Sequence, residues 1–577
     1  MSSGIDLTNE AFAEYCRWLR VKTMDPETRR EVQSMITDMD MIDQRFGSRL
    51  AFGTAGLRAP EGAGTNRMNP YTVAAAARGF ARWIKANGGA DRGIVISYDS
   101  RHRSRDFAEM TARMAADEGV QVYLSDTLRP VPMLSYGIVK YGAAGGVMIT
   151  ASHNPPEYNG FKAYGADGAQ LMPEEAAQVS ACIEGLGDIF QIISRSLSFR
   201  QLFHNEMIVY VGEELDDSYE QLLMDRLNSS LVPDEAKRDL RIVYTPLNGA
   251  GNIPVRRVLE SMGFHSVMVV PEQELPDGTF PTLRVPNPEY EDTFRLAIEM
   301  AETEMADIVI ATDPDGDRLG IALPDDSGEY RVLTGNQIGT LLMEFMLGGR
   351  AIQGRLKGDE FSVVSVVSTK MPEFICRRYG VELTETLTGS RYTAEAIRQG
   401  RSEGKKFVMG FEEGNGYMLD TGILDKDGVA AAAVIAEMAA MSRTSGRRLY
   451  DQLDSIYSLY CFPAEKRFSV QVKGLDITGT MEAVMNNLRE ESLDLGDGIE
   501  ITGVRDYMPE TNMLYYHLGG TDGNDWLAIR PSGTEPKLKV YMGMYGEKEE
   551  AANKLAKVYP RVKERITAVI DAKGEVQ

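Results

Sequence analysis

Four short stretches carry residue types able to do chemistry. The first is Thr150-Ala151-Ser152-His153-Asn154-Pro155-Pro156-Glu157-Tyr158-Asn159-Gly160-Phe161-Lys162, where an apolar run delivers Ser152 into a loop rich in Pro, Asn and Gly. A serine hydroxyl is a weak nucleophile at neutral pH and needs a base, a metal or a pre-attached group. His153 and Lys162 share that loop, although the composition also fits an ordinary turn. The second stretch is Thr312-Asp313-Pro314-Asp315-Gly316-Asp317-Arg318. Its carboxylates at alternate positions project to one side of an extended loop and suit a hard cation bound through oxygen. An EF-hand is excluded, because Arg318 takes the position that needs glycine and Pro324 the position that needs a bidentate Glu. A solvated acidic turn is the competing reading, but three converging carboxylates without a cation repel strongly.

The third stretch, Arg530-Pro531-Ser532-Gly533-Thr534-Glu535-Pro536-Lys537, puts two hydroxyls, two cations and a flexible backbone in one short loop. That is a donor-rich setting for an anion, with a plain β-turn as competitor. The fourth, Gly410-Phe411-Glu412-Glu413-Gly414-Asn415-Gly416-Tyr417, offers paired carboxylates that could accept sugar hydroxyls or simply face water. Nucleotide-loop spacings are missing: Gly404-Lys405 lacks the Walker pattern, and no GxG extends to GxGxxG.

Each of these loops needs a rigid element to hold it, and the pattern around them supplies one. Apolar runs at 93–98, 146–150, 241–244 and 306–311 each lead through a turn into a helical stretch such as 107–117 or 253–262. This is the rhythm of α/β units with mainly parallel, buried strands. At about 150 residues per domain, 577 residues suggest roughly four domains. Breaks in the rhythm divide the chain into 1–205, 206–325, 326–460 and 461–577, each holding one of the loops. The last reads as a smaller α+β unit with strand 468–472, helix 479–489, two strands and a closing helix from Lys548.

The net charge of −23 repels nucleic acid and anionic lipid, so neither is an expected partner. It also repels any small anion, so an anion site here requires its own basic cluster. The first residues lack the charged and apolar regions of a signal peptide, and the apolar run 429–441 is broken by Glu437 and too short to span a bilayer. Cys16, Cys182, Cys376 and Cys461 form no CxxC, so neither a disulfide framework nor a zinc site is indicated. A cytoplasmic protein is expected.

Together the four loops, with Phe52-Gly53-Thr54-Ala55-Gly56-Leu57-Arg58 upstream, resemble the α-D-phosphohexomutase superfamily, and its phosphoglucomutase branch most. The resemblance spans nearly the whole chain. It implies four domains around a central cleft: three related α/β domains with mixed, mainly parallel sheets and a C-terminal α+β domain. It implies that Ser152 is phosphorylated and that Asp313, Asp315 and Asp317 hold Mg²⁺, which also touches the serine phosphate. Lys162 and His153 then have proton-transfer or electrostatic roles, while Arg58, Arg101 and Arg318 stabilise charge. Thr388, Gly389, Arg391, Glu412 and Asn415 face the sugar and reacting phosphate, and Arg530, Ser532, Gly533, Thr534 and Lys537 grip the other phosphate.

The implied reaction interconverts α-D-glucose 1-phosphate and glucose 6-phosphate through a sugar 1,6-bisphosphate, which turns around between two transfers. Small sugar phosphates are the expected partners, and a monomer or small homo-oligomer the expected state. The chain departs from the family pattern at four places. Gly389-Ser390-Arg391 replaces Gly-Phe-Lys, Glu412-Glu413-Gly414-Asn415 replaces Glu-Glu-Ser-aromatic, Ala59 replaces Gly, and Asn248 replaces His in Pro-Leu-His-Gly. Arginine at 391 cannot exchange a proton usefully, and Gly414 removes a hydroxyl. A phosphopentomutase, a sugar-bisphosphate synthase or phosphatase, and a non-catalytic sugar-phosphate sensor are the alternatives.

Overall fold

The computed structural model describes residues 10–53, 56–227, 231–472, 477–491, 493, 495, 499–519, 523–532 and 537–574. Its strands form four separate sheets. The first holds β1 (Leu57–Pro60), β2 (Ile94–Tyr98), β3 (Val122–Ser125), β4 (Gly145–Ile149), β5 (Tyr158–Tyr164) and β6 (Ile208–Val211), in the order β1-β5-β4-β2-β3-β6. Its four-strand block β4-β2-β3-β6 is parallel, and β5 and β1 run antiparallel at one edge. Strands β2 and β4 are buried at every position, which explains why their sequences are apolar without alternation.

The second sheet contains β7 (Arg241–Thr245), β8 (Ser266–Val269), β9 (Ile308–Thr312), β10 (Leu319–Pro324) and β11 (Tyr330–Val332), ordered β11-β10-β9-β7-β8. The third contains β12 (Glu360–Ser365), β13 (Glu382–Thr386), β14 (Lys406–Glu412) and β15 (Gly416–Leu419), ordered β13-β12-β14-β15. Both mix parallel and antiparallel pairs. Two strands lie past the boundaries expected from sequence. Strand β6 returns to the first sheet after the helices between Pro173 and His204, and β11 hairpins back onto β10 after the turn at 325–328. Each expected boundary falls at a break in the rhythm, and in both cases the chain comes back to its sheet once more before leaving.

The fourth sheet is wholly antiparallel: β16 (Phe462–Gln471), β17 (Ile501–Asp506), β18 (Leu514–Leu518), β19 (Trp526–Pro531) and β20 (Lys537–Gly546), ordered β16-β20-β19-β18-β17. Four strands follow its helix Ile477–Glu490, where the sequence pattern indicates two. Strand β17 is a mostly exposed edge with little apolar content, so it carries almost no periodic signal. The closing helix Lys548–Gly574 packs Val558, Val562 and Ile566 onto the sheet.

Helix Gly428–Thr444 holds the second and third units together and is buried on nearly every face. Its Glu437 forms a buried ion pair with Lys237 at 2.9 Å, the pairing that a charge at such depth requires. No helix among the described residues is long and apolar enough to cross a membrane. Three helices at the start, Glu10–Leu19, Pro26–Ser34 and Met39–Phe46, dock onto the first unit. Trp18 meets Phe46, Tyr71 and Phe190 edge-on there, with ring centroids 5.3–5.4 Å apart.

Candidate active site

Strand β4 ends at Ile149 and the chain turns sharply to present Ser152. Ser152 has φ +51°, a left-handed conformation uncommon for a residue with a Cβ, so the surrounding loop must hold it there. The Ser152 amide donates to Thr150 Oγ1 at 2.7 Å, and Thr150 Oγ1 donates to Asp99 Oδ2 at 2.6 Å. Arg101 finishes the clamp. Its guanidinium donates to the carbonyls of Ser152 (2.6 Å), Pro155 (2.8 Å) and Tyr158 (2.9 Å) and to that of Asn154, while Nε lies 3.3 Å from Asp99. Both Arg101 and Asp99 side chains are fully buried, so this arginine, expected to stabilise charge on the substrate, is committed to the shape of the serine loop.

The Ser152 hydroxyl donates to Asp313 Oδ2 at 2.8 Å and lies 3.1 Å from His153 Nδ1. Asp313 follows β9, which like β4 is buried throughout. The loop is braced from beneath: Ala250 N donates to the Pro314 carbonyl at 2.8 Å, and Gly249 comes so close that a Cβ would lie 2.5 Å from Pro314 Cα. Asn248, where the family pattern has His, belongs to this brace and donates to the Leu275 carbonyl at 2.8 Å.

Asp313, Asp315 and Asp317 are buried, and one oxygen from each lies within 4.8 Å of the others. Burial and then the neighbouring carboxylates push Asp313 well above the usual carboxylate range. Asp317 is held below that range despite its burial, because the Lys426 and Lys162 ammonium groups face it. Lys162 Nζ donates to Asp315 at 2.7 Å and lies 3.6 Å from Asp317, and Lys426 Nζ is 3.0 Å from Asp317. Asp315 Oδ1 and Asp317 Oδ1 are buried without a hydrogen-bond partner among the described residues. Crowded, unsatisfied, hard oxygen donors beside a serine hydroxyl fit a divalent cation of the Mg²⁺ kind.

Positive charge surrounds this cluster. Arg58, on β1, donates to Asn154 Oδ1 at 3.0 Å. Its strand needs Gly56 at φ +72°, where a Cβ would meet the Phe161 carbonyl at 1.8 Å. Arg318 donates its amide to Asp313 Oδ1 at 3.0 Å and its guanidinium to Glu289. Burial, then Arg318 and Arg58, hold His153 well below its ordinary range, so its ring is neutral at pH 7.

The third unit adds Glu412, whose carboxylate accepts from the Gly389 amide and so ties the loop at 410–417 to Thr388 and Gly389. Burial raises Glu412, with Lys426 opposing and Glu413 adding to the shift. Arg391 is buried near Glu412 and Asp425. Asn415, expected as a sugar contact, is instead a turn residue: it is 1% exposed, has φ +62°, and donates Nδ2 to the Leu319 carbonyl at 3.1 Å. In the fourth unit Arg530 donates to Tyr541 Oη at 3.0 Å, and the buried Ser532 hydroxyl has no partner among the described residues. Lys537 begins β20, while Gly533 and Thr534 lie outside the described residues. A cavity of about 300 Å³ lies here, lined by Glu289, Asn336, Glu413, Glu465 and Tyr541 among others. A larger one of about 420 Å³, walled by Trp18, Tyr71 and Phe190, touches none of the four loops.

The phosphoglucomutase/phosphomannomutase alpha/beta/alpha domains I, II and III match residues 49–188, 219–327 and 334–460. A phosphoglucomutase from Staphylococcus aureus (strain MSSA476) is 34% identical over 523 residues, covering 87% of this chain and 91% of that protein. The chain belongs to the phosphoglucomutase/phosphomannomutase family. Solved structures share the fold. The Paramecium phosphoglucomutase parafusin, in its open form, matches with a TM-score of 0.69 at 15% identity, covering 91% of this chain and 95% of that one. A family protein from Burkholderia thailandensis gives 0.66 at 18% identity, with 90% and 98% covered. The Aspergillus fumigatus N-acetylphosphoglucosamine mutase, in complex with GlcNAc-6P and magnesium, gives 0.51 at 13% identity, with 96% and 100% covered.

Two further cations, Lys426 and Lys539, stand close to these loops. Lys426 follows β15 in a loop without a composition signal, and only the fold brings it to Asp317. Burial pulls it down, yet Asp317 keeps its ammonium above the ordinary lysine range. Lys539 lies directly across from Arg530 in the β19–β20 register, so both side chains share one face of the sheet. Burial, then Arg530, lowers Lys539 to about 8. Its period-2 spacing from Lys537 along a strand was the available signal.

Proposed function

We propose that the protein is a phosphoglucomutase, interconverting α-D-glucose 1-phosphate and glucose 6-phosphate through phosphorylated Ser152 and glucose 1,6-bisphosphate. The observation that carries this reading is Ser152 Oγ held 2.8 Å from Asp313 in a buried three-aspartate loop, within a chain of this family. Asp313, Asp315 and Asp317 would hold Mg²⁺, which when bound neutralises charge on the transferring phosphoryl group.

In the first half-reaction the bond between Ser152 Oγ and phosphorus breaks, and a bond from phosphorus to the sugar 6-hydroxyl oxygen forms. The hydroxyl proton ends on Ser152 Oγ. His153, neutral and 3.1 Å from that oxygen, is placed to carry it. Arg58 and Arg318 offset charge at the reacting phosphate, and Lys162 keeps the aspartates in place. After the bisphosphate turns around, the 1-phosphate returns to Ser152 and glucose 6-phosphate leaves. Arg530, Ser532, Gly533, Thr534, Lys537 and Lys539 hold whichever phosphate is not reacting, supplying the local basic cluster that a chain of charge −23 needs. Glu412, Thr388, Gly389 and Arg391 face the sugar, while Arg101 and Asn415 shape loops.

The reading includes four functional units, each contributing one loop, with the first extended to include β6. It puts the enzyme in the cytoplasm, as a monomer or small homo-oligomer acting on small sugar phosphates. A panel of glucose, mannose and ribose 1-phosphates with product analysis tests the substrate assignment. Glucose 6-phosphate as the product with the highest kcat/KM is expected, and a clear preference for ribose 1-phosphate would overturn it.

A further inference from the structure

Glu289 joins two units of the molecule. It follows Pro286-Asn287-Pro288, and its amide donates to Asn287 Oδ1 at 3.1 Å, which fixes its departure from the loop. One carboxylate oxygen accepts from Arg318, on the aspartate loop, and the other accepts from Arg467, on β16 of the C-terminal sheet. Arg467 is opposite Tyr541 on β20, and Tyr541 accepts from Arg530. One carboxylate therefore links the aspartate loop to the strands that carry the phosphate-gripping arginine. Glu289 is 10% exposed, Arg318 15% and Arg467 37%, so the Arg467 contact is the side open to water and to opening. Gly414 leaves room for the bridge: a Cβ there would lie 3.2 Å from Glu289 Oε1 and 3.5 Å from Arg318 Nη1.

We infer that Glu289 and Arg467 form a latch between the C-terminal unit and the aspartate-loop unit, and that this latch retains the bisphosphate while it turns around. The inference rests on the mutase reading. Reorientation needs the C-terminal sheet to loosen its hold, yet full opening lets the intermediate escape. A partly exposed ion pair anchored on a buried carboxylate gives a closure that is reversible yet costly to break completely. Arg467 is a positioning residue here: it keeps the unit closed, and Ser152 is served by other groups.

The test uses the full-length phosphoenzyme and its Arg467→Gln and Arg467→Lys variants, mixed with glucose 1-phosphate and Mg²⁺ in a single turnover. Arg467→Gln should transfer its phosphoryl group at a rate within threefold of wild type, but release free glucose 1,6-bisphosphate at least fivefold more often per turnover. Its steady state should then need correspondingly more added bisphosphate, and Arg467→Lys should restore most of the retention. Small-angle scattering without substrate should show Arg467→Gln expanded, and adding Glu289→Gln should expand it no further, because the Glu289–Arg467 contact is already broken. Wild-type retention and dimensions in Arg467→Gln would overturn the latch, as would loss of the first transfer in that variant. Failure of the mutase reading looks different: wild type itself would pass no phosphoryl group to the sugar, and the latch would fall with it.

Discussion

Ser152 and Asp313 are 161 residues apart in the chain, and the serine hydroxyl donates to the aspartate across 2.8 Å. Each side chain follows a fully buried strand, Asp313 directly after β9 and Ser152 in the clamped turn after β4, so the contact is set by the two sheets and that turn. Replacing Ser152 with Ala should abolish mutase turnover while leaving thermal unfolding within a few degrees of wild type. Intact mass should show no phosphoryl adduct on that variant, and activity near wild type would refute the assignment.

The aspartate loop stores repulsion that a cation relieves. Mg²⁺ should therefore raise the unfolding temperature of the wild-type protein, by the equivalent of about 2.7 kcal/mol at a hundredfold excess over Kd. Asp315→Asn should weaken Mg²⁺ binding at least about tenfold by calorimetry, because hard cations depend on ligand charge. Equal stabilisation of both proteins would contradict the assignment.

Arg101 is predicted to act through the backbone. Arg101→Met leaves Asp99 buried and unpaired and frees four carbonyls, so unfolding in urea should show a loss of about 3–5 kcal/mol. A variant that kept wild-type stability and lost only substrate affinity would return Arg101 to the substrate.

Lys539 sets a pH limit. Below about 8 its ammonium is charged and attracts the substrate phosphate, and above that the charge is lost. The value of kcat/KM should fall several-fold above pH 8, since that ratio reports groups of the free enzyme. Lys539→Arg should flatten this limb, because a guanidinium stays charged there. An unchanged limb in that variant would assign the pH dependence to another group.

Much of the fold and the reacting centre was legible because buried parallel strands write continuous apolar runs, each ending in a loop of unusual composition. Ser152 and the aspartates declare themselves in this way, whereas Lys162, read from sequence as part of the serine loop, stands on the antiparallel strand β5. Lys426 and Glu289 do not, because their partners are brought to them only by packing between units. Asn415 shows the opposite failure. Its departure from an aromatic suggests altered sugar contact, whereas its left-handed backbone and bond to Leu319 make it a turn residue. Asn415→Tyr should thus mainly cost stability, by about 2 kcal/mol or more, from backbone strain together with a lost buried hydrogen bond. A change in glucose-over-ribose preference without loss of stability would reverse that conclusion.

The central claim is that Ser152 passes its phosphoryl group to a sugar phosphate and takes another back. The direct measurement is to label the Ser152 phosphate, mix the phosphoenzyme with unlabelled glucose 1-phosphate and Mg²⁺, and follow the label through a single turnover. The account predicts that label leaves the peptide containing Ser152 and appears in glucose 1,6-bisphosphate and then in glucose 6-phosphate. Label that stays on the protein, or that passes to water as inorganic phosphate, would contradict it.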